Sequence, residues 1–192
     1  MHDGGLDCRD PGSLSDEVAQ LRDKVARLEE QVRELDRLAH LDALVPCANR
    51  RGMMRELESM IAQHERHGTP AAVLFLDLDG LKMLNDSYGH EGGDAALIHV
   101  AEQLQAGVRT EDCVARLGGD EFCILLDRAD EESAIETARR LVNLVAGDEF
   151  LFNGQPMPLS VAIGMTQVER GDTPAAVLAR ADQAMYRVKV AA

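Results

Sequence analysis

The sequence predicts an α+β domain, a mixed sheet flanked by helices, behind one long N-terminal helix. Three observations carry this. Apolar residues recur as Leu14, Val18, Leu21, Val25, Leu28, Val32, Leu35 and Ala39, in alternating steps of four and three that belong to a helix and not to a strand. The run Ala71–Leu78 is almost wholly apolar and leads into Asp77-Leu78-Asp79, as expected of a strand buried on both faces. Two further apolar runs enclose Gly118-Gly119-Asp120-Glu121, which reads as a β-hairpin with two carboxylates at its tip.

Composition narrows the possibilities. The 192 residues suffice for one ordinary domain and an appendage. With 45% apolar residues, 3% aromatic and no Trp, the core must be aliphatic. A net charge of −14 excludes a sequence-independent grip on DNA or RNA, which needs clustered Lys and Arg. It leaves room for a mononucleotide, whose phosphates are met by metal ions and a few local cations. No apolar run reaches bilayer length, and Met1-His2-Asp3-Gly4-Gly5 lacks the basic-then-apolar order of an export signal, so no membrane association is expected. Cys8, Cys47, Cys113 and Cys123 have neither zinc-like spacing nor the density of a disulfide scaffold. A reduced, cytoplasmic chain is the expectation.

Taken in order, residues 1–12 are polar, with Pro11-Gly12 as punctuation, and are expected to be flexible. A helix should start near Ser13 or Ser15, with Asp16 and Glu17 at the positive end of its dipole. Val18, Val25 and Val32 hold one seam position and Leu14, Leu21, Leu28 and Leu35 the other. β-Branched residues at a with Leu at d favour a parallel two-stranded coiled coil. The remaining positions are nearly all charged or Gln, leaving a narrower stripe than a helix lying on its own domain shows. Residues 13–41 are therefore read as a coiled-coil dimerisation helix and 42–192 as the globular domain.

Pro46 should end the first helix, and a second restarts near Asn49 with Met53, Met54, Leu57, Met60 and Ile61 inward. His64 and His67 fall in a loop and are read as solvent-facing. After the strand at 71–79 come a short helix, a glycine-rich turn over 89–94, and another helix at about 95–105. The hairpin follows, then an amphipathic helix over 131–145. A turn at Asn153-Gly154 leads to a strand over 158–165, and Thr173-Pro174 opens the last helix with Thr as its N-cap. The predicted order, β-α-α-β-β-α-β-α, is that of a ferredoxin-like mixed sheet.

Period two places Asp77 and Asp79 on one side at a strand's end, where the carboxylates of Asp120 and Glu121 can join them. Acids brought together from separate strands hold one or two Mg²⁺ over a phosphoryl group, and such ions lower the barrier to attack at phosphorus. Lys82 stands where a compact cation would meet a phosphate. Asn85 and Asp94 form an amide and carboxylate pair that matches guanine's acceptor edge and its N1–H and N2–H donors.

With these residues assembled, residues from about 40 to 190 resemble the GGDEF domain of diguanylate cyclases. Gly118-Gly119-Asp120-Glu121-Phe122 matches the eponymous motif letter for letter. Residues 76–86 are similar to the family's strand-to-helix block, with Leu81 where Phe is usual, and Gly89-His90-Glu91-Gly92-Gly93-Asp94 matches its Gly-His-x-x-Gly-Asp block. Ser160-Val161-Ala162-Ile163-Gly164 and the helix through Ala181-Asp182 to Lys189 resemble its closing strand and helix.

The resemblance implies a nucleotidyl-cyclase-type fold and condensation of two GTP into cyclic di-GMP across a homodimer, with release of two pyrophosphates. It implies Mg²⁺ (or Mn²⁺) on Asp77, the Leu78 carbonyl, Asp120 and Glu121, with Asp120 and Glu121 as catalytic acids. Guanine would meet Asn85 and Asp94, phosphates would meet Lys82 and Lys189, and Gly118 and Gly119 would leave room for the nucleotide. Arg109-x-x-Asp112 matches the family's product-inhibition site, with Arg140 as its second arginine. Val45-Pro46-Cys47 replaces the usual Thr-Gly-Leu, and the sequence stops at Ala192, where the family continues with Gly-Arg, so one phosphate contact fewer is expected. The alternative is a non-catalytic cyclic di-GMP receptor or scaffold. Any upstream signal is expected to arrive through a partner of the long helix or the helix itself.

Overall fold

The computed structural model describes the backbone of residues 11–191 and the side chains of residues 15–190. Apart from Pro11 and Gly12, the predicted flexible segment lies outside those residues, as does Cys8. Residues 1–39 and 40–192 form two separate units.

The first unit is helix α1 (Pro11–His40), which begins two to four residues before Ser13 or Ser15. Asp16 and Glu17 consequently fall past its first turn, and no acid stands there. Pro at the first helical position suits a residue whose missing N–H would be unpaired anyway. Val18, Leu21, Val25, Leu28, Val32, Leu35 and Leu38 are all exposed on this chain. Arg33 with Glu30, at 2.6 Å, and Arg37 with Glu34, at 2.8 Å, tie successive turns outside the a and d seam.

The helix ends at His40, six residues before Pro46. Asp42 supplies the stop: its Oδ1 accepts the N–H groups of Leu44 (2.9 Å) and Val45 (3.1 Å), and its own N–H donates to the Cys47 carbonyl. The chain turns there into strand β1 (Ala48–Asn49), a two-residue element too short to show a period in the sequence. Helix α2 (Arg50–His67) follows, with Asn49 as N-cap accepting from Arg51 and Gly52. His67 is exposed as expected, but His64 is only half exposed and its Nδ1 meets the Thr69 carbonyl at 2.8 Å.

The central strand is β2 (Ala71–Leu78). It pairs antiparallel with β4 (Glu121–Asp127) on one side and β7 (Val161–Gln167) on the other, while β3 (Cys113–Gly118) pairs with β4 and with β1, giving the order β1-β3-β4-β2-β7. Ala72, Leu74, Leu76 and Leu78 pack into one core layer beneath α3 (Leu81–Ala106) and α4 (Glu131–Gly147). Ala71, Val73 and Phe75 pack into the other, beneath α2 and α5 (Pro174–Ala191). The strand is apolar throughout because both faces are covered. Helix α5 lies directly on β7: a Cβ at Gly164 would stand 1.9 Å from the Met185 nitrogen. The Thr173 cap holds, its Oγ1 accepting from Ala176 at 3.3 Å.

Two further segments depart from the sequence reading. The predicted glycine-rich turn over 89–94 is almost entirely helical. Only Gly89 leaves the helix (φ 74°, ψ 175°), so α3 is two helical halves meeting at a kink. Between α4 and β7 the chain forms a separate two-stranded hairpin, β5 (Phe150–Phe152) and β6 (Gln155–Met157). Asn153 and Gly154 turn it with φ of 52° and 76°, the positive angles that favour Asn-Gly at such turns.

Candidate active site

Strand pairing brings the acids together. Asp77, last but one in β2, lies directly opposite Glu121, first in β4. Both continue the alternation of residues facing α2 and α5, so their side chains emerge where those helices reach the sheet's end. The turn between β3 and β4 contains just Gly119 and Asp120, with φ of 56° at Gly119 and 145° at Gly118. A Cβ would strain both positions. The Leu78 N–H donates to the Asp120 carbonyl at 3.0 Å, which clamps the tip of the hairpin to the end of β2.

Arg116, Arg50 and Asp182, outside the predicted set, complete the surroundings together with Asp79. Arg116 donates twice to the Gly119 carbonyl, at 3.0 and 2.8 Å, and reaches Asp42 at 3.4 Å. Arg50 donates to the Leu117 carbonyl at 3.5 Å. Burial and the neighbouring Asp120 push the Glu121 carboxyl above the usual range; Arg50 opposes this, while Asp182 and Asp77 add to it. Asp79 accepts from the Ser160 hydroxyl at 2.8 Å. Sequence reasoning gave Arg50, Arg116 and Asp182 no role. Their partners lie far away in the chain or act on a backbone oxygen, which no local pattern announces.

Lys189 donates to Asp77 Oδ1, and that bond raises its pKa. Even so, Asp77, Asp79, Asp120, Glu121 and Asp182 outnumber Lys189 and Arg50. Surplus carboxylate oxygens fit a hard cation. Among the described residues no three His, Cys, Asp or Glu side chains form a ready metal cage. Mg²⁺ is usually held by one or two carboxylates together with substrate phosphates.

Asn85 and Asp94 sit on either side of the α3 kink. Asn85 folds back against the second half, where a Cβ at Gly93 would meet its Oδ1 at 2.0 Å. Asp94 and Lys82 are exposed. Arg109, Asp112 and Arg140 line one cavity of about 90 Å³ with Ser133 and Glu136. Asp112 accepts the N–H of Arg109 at 2.9 Å and that of Asp127 at 3.1 Å, and Arg140 donates to the Gly107 carbonyl at 2.8 Å. Its carboxylate thus shapes the turn and does not pair with the Arg109 guanidinium.

Residues 39–192 match the family described as "Diguanylate cyclase, GGDEF domain". The chain belongs to the GGDEF family. The chain is 40% identical over 158 residues to the bifunctional diguanylate cyclase/cyclic di-GMP phosphodiesterase MucR of Pseudomonas aeruginosa, spanning 82% of this chain and 23% of that protein. It is 36% identical over 148 residues to diguanylate cyclase DgcP of the same organism, spanning 77% of this chain and 22% of that one. The chain therefore spans under a quarter of the length of these curated relatives. The solved coiled coil and GGDEF domain of DgcB from Caulobacter crescentus, in complex with c-di-GMP, superposes with a TM-score of 0.86 at 27% identity, covering 93% of this chain and 95% of that one. The mixed α+β GGDEF fold is thus shared. Among the described residues no helix is long and apolar enough to cross a membrane.

Proposed function

We propose that this protein is a diguanylate cyclase that joins two GTP into cyclic di-GMP. The observation that carries the reading is the register of Asp77 opposite Glu121, with Asp120 clamped beside them, in a GGDEF fold. Each protomer would hold one GTP. The 3′-oxygen of each attacks the other's α-phosphorus, so two P–O bonds form, two break, and two pyrophosphates leave. Asp77, the Leu78 carbonyl, Asp120 and Glu121 would hold Mg²⁺ or Mn²⁺, which neutralises triphosphate charge when bound. Glu121 would share that metal binding or help take up the hydroxyl proton. Asn85 and Asp94 would read guanine, while Gly118 and Gly119 keep the main chain bare for the nucleotide. Lys82 meets phosphates, and Lys189 would turn from Asp77 to do the same.

Half a reaction per protomer requires a second copy, and helix α1 supports one. Beyond its a and d seam, residues 17, 22, 24 and 29 take the flanking g and e positions. In a parallel, in-register pair Glu17 faces Arg22 of the other copy and Lys24 faces Glu29, both attractive. An antiparallel pair centred on residue 24 would set Lys24 against Lys24. The cavity of Arg109, Asp112 and Arg140 is proposed to bind cyclic di-GMP and inhibit the enzyme, since guanidinium forks suit guanine and phosphate.

Product analysis after incubation with GTP and Mg²⁺ tests the reading. Cyclic di-GMP and pyrophosphate in a one-to-two ratio are expected. A dimer that binds GTP and releases neither would contradict it and favour a cyclic di-GMP receptor.

A further inference from the structure

The motifs that carry the family resemblance leave residues 148–157 untouched, yet this segment is fastened along one face of α3. Phe152 meets Tyr88 edge-on, with ring centroids 6.2 Å apart and planes at 81°. Its ring covers Gly92: a Cβ there would lie 3.4 Å from Phe152 Cε1 and 2.6 Å from the Tyr88 Cβ. Two residues back along the strand, Phe150 stacks on His99 with centroids 4.8 Å apart. Two further back, Asp148 accepts from Gln103 Nε2 at 2.6 Å. The same carboxylate lies 3.0 Å from His99 Nε2, off the line of a hydrogen bond. Alternate residues 148, 150 and 152 thus meet helix positions 103, 99 and 92, while Leu151 between them faces solvent. The match of strand period to helix face accounts for the hairpin's alignment.

What the hairpin crosses is the kink at Gly89. Tyr88 belongs to the half of α3 that carries Lys82 and Asn85, and Gly92, His99 and Gln103 to the half that carries Asp94. Gly89 has a positive φ and removes the helix's own continuity at that point. Beside the direct approach of Tyr88 to Gly92, Asn85 against Gly93 and Phe152 across Tyr88 and Gly92 bridge the bend.

We propose that the β5–β6 hairpin is a splint, with Phe152 as a positioning residue that sets the spacing of Asn85 and Asp94 and hence the recognition of guanine. This rests on the proposed binding of GTP by those two residues. An amide and a carboxylate discriminate a purine only when both are held within a few tenths of an ångström of their places. A bend at glycine supplies no such constraint by itself.

The test is steady-state kinetics with GTP and with inosine triphosphate, which lacks the 2-amino group that Asp94 would bind, at saturating Mg²⁺. For Phe152→Ala we expect a five- to twenty-fold higher half-saturating GTP concentration, kcat within threefold, and a GTP-over-inosine preference reduced at least threefold. Phe152→Tyr restores all three values, and Leu151→Ala on the outward side changes none. Binding of cyclic di-GMP at Arg109 stays within twofold, because that cavity lies outside the kinked segment. An unchanged half-saturation and preference in Phe152→Ala overturns the proposal. So does an equal loss of cyclic di-GMP binding, which signals general loosening of the domain. If Phe152→Ala does not fold, Phe152→Leu keeps the space filled and removes the ring contact; a shift of at least threefold is then expected, and none overturns the proposal. Absence of turnover in the unsubstituted protein would instead sink the cyclase reading itself.

Discussion

The two ends of the β3–β4 hairpin are built on opposite principles. At one end Gly118-Gly119-Asp120-Glu121 gathers carboxylates beside Asp77, and burial with mutual repulsion raises the Glu121 pKa. At the other, about 20 Å away along the six residues of β3, the Asp112 carboxylate is already occupied by the backbone N–H groups of Arg109 and Asp127. Arg109 and Arg140 there line a small cavity. One end holds more carboxylates than cations, which suits the proposed divalent ions. The other sets two guanidinium groups beside a finished turn. A single hairpin connecting them carries the proposed catalysis and its proposed inhibition on the same element without sharing a residue.

The largest effect should come from the acid end. Asp120→Asn keeps the shape of the turn while removing a charge, and product formation should fall by about a thousandfold or more, as loss of several kcal/mol of metal-mediated stabilisation requires. Cyclic di-GMP binding at the arginine end, followed by calorimetry, should be unaffected. If both are lost, the two ends are not independent. Next comes Arg109→Ala. A lost charge-assisted contact of about 1.5–3 kcal/mol should raise the product concentration for half-inhibition by roughly ten- to a hundredfold, read from time courses with added cyclic di-GMP.

Arg116→Gln sharpens the comparison. Arg116 holds the Gly119 carbonyl and Asp42, so it acts on the acid end alone. A drop in kcat of roughly tenfold, about 1.4 kcal/mol, is expected with inhibition by product intact; an unchanged kcat would remove Arg116 from the turn's support. The smallest effect belongs to a pair remote from both ends. Arg180 grips both oxygens of Asp172 at 2.7 Å, and this bond chiefly holds the Asp172 carboxyl below its ordinary pKa. A depressed carboxylate contributes stability that is present above the unfolded pKa of about 3.9 and fades as pH falls through the folded value. Arg180→Ala should therefore cost about 1 kcal/mol at pH 7, a modest figure because the guanidinium is partly exposed. The gap between its denaturation midpoint and that of the unsubstituted protein should narrow as pH falls below about 4, leaving the part due to the Thr166 and Gln167 contacts of Arg180.

How much of this was legible in the sequence depended on whether the signal was local. The buried strand β2, the Gly-Gly-Asp-Glu turn and the Thr173 cap each follow from a period or a cap within a few residues, and each stands where expected. The segment 89–94 misled because its glycines signalled a turn. Gly92 and Gly93 are there for close approach by Tyr88 and Asn85 inside a helix, and only Gly89 breaks it. The β5–β6 hairpin did carry a readable mark, Asn153-Gly154, but its three-residue strands are too short for alternation to be seen. The end of α1 was misplaced at Pro46 because Asp42 stops the helix earlier by taking two N–H groups. At the site, the carboxylates and the pair proposed to read guanine came from motifs. Arg50, Arg116 and Asp182 did not, since each acts on a partner more than sixty residues away, or on a carbonyl that only the folded turn presents.

The most direct test of the account is a titration of Mn²⁺, followed by electron paramagnetic resonance, against the protein bearing a GTP analogue that cannot be cleaved at the α-phosphorus. If Asp77 and Asp120 converge on one divalent ion, Asp77→Asn and Asp120→Asn should each weaken the bound-Mn²⁺ signal at least tenfold while Arg109→Ala leaves it unchanged. Equal Mn²⁺ affinity in all four proteins would contradict it.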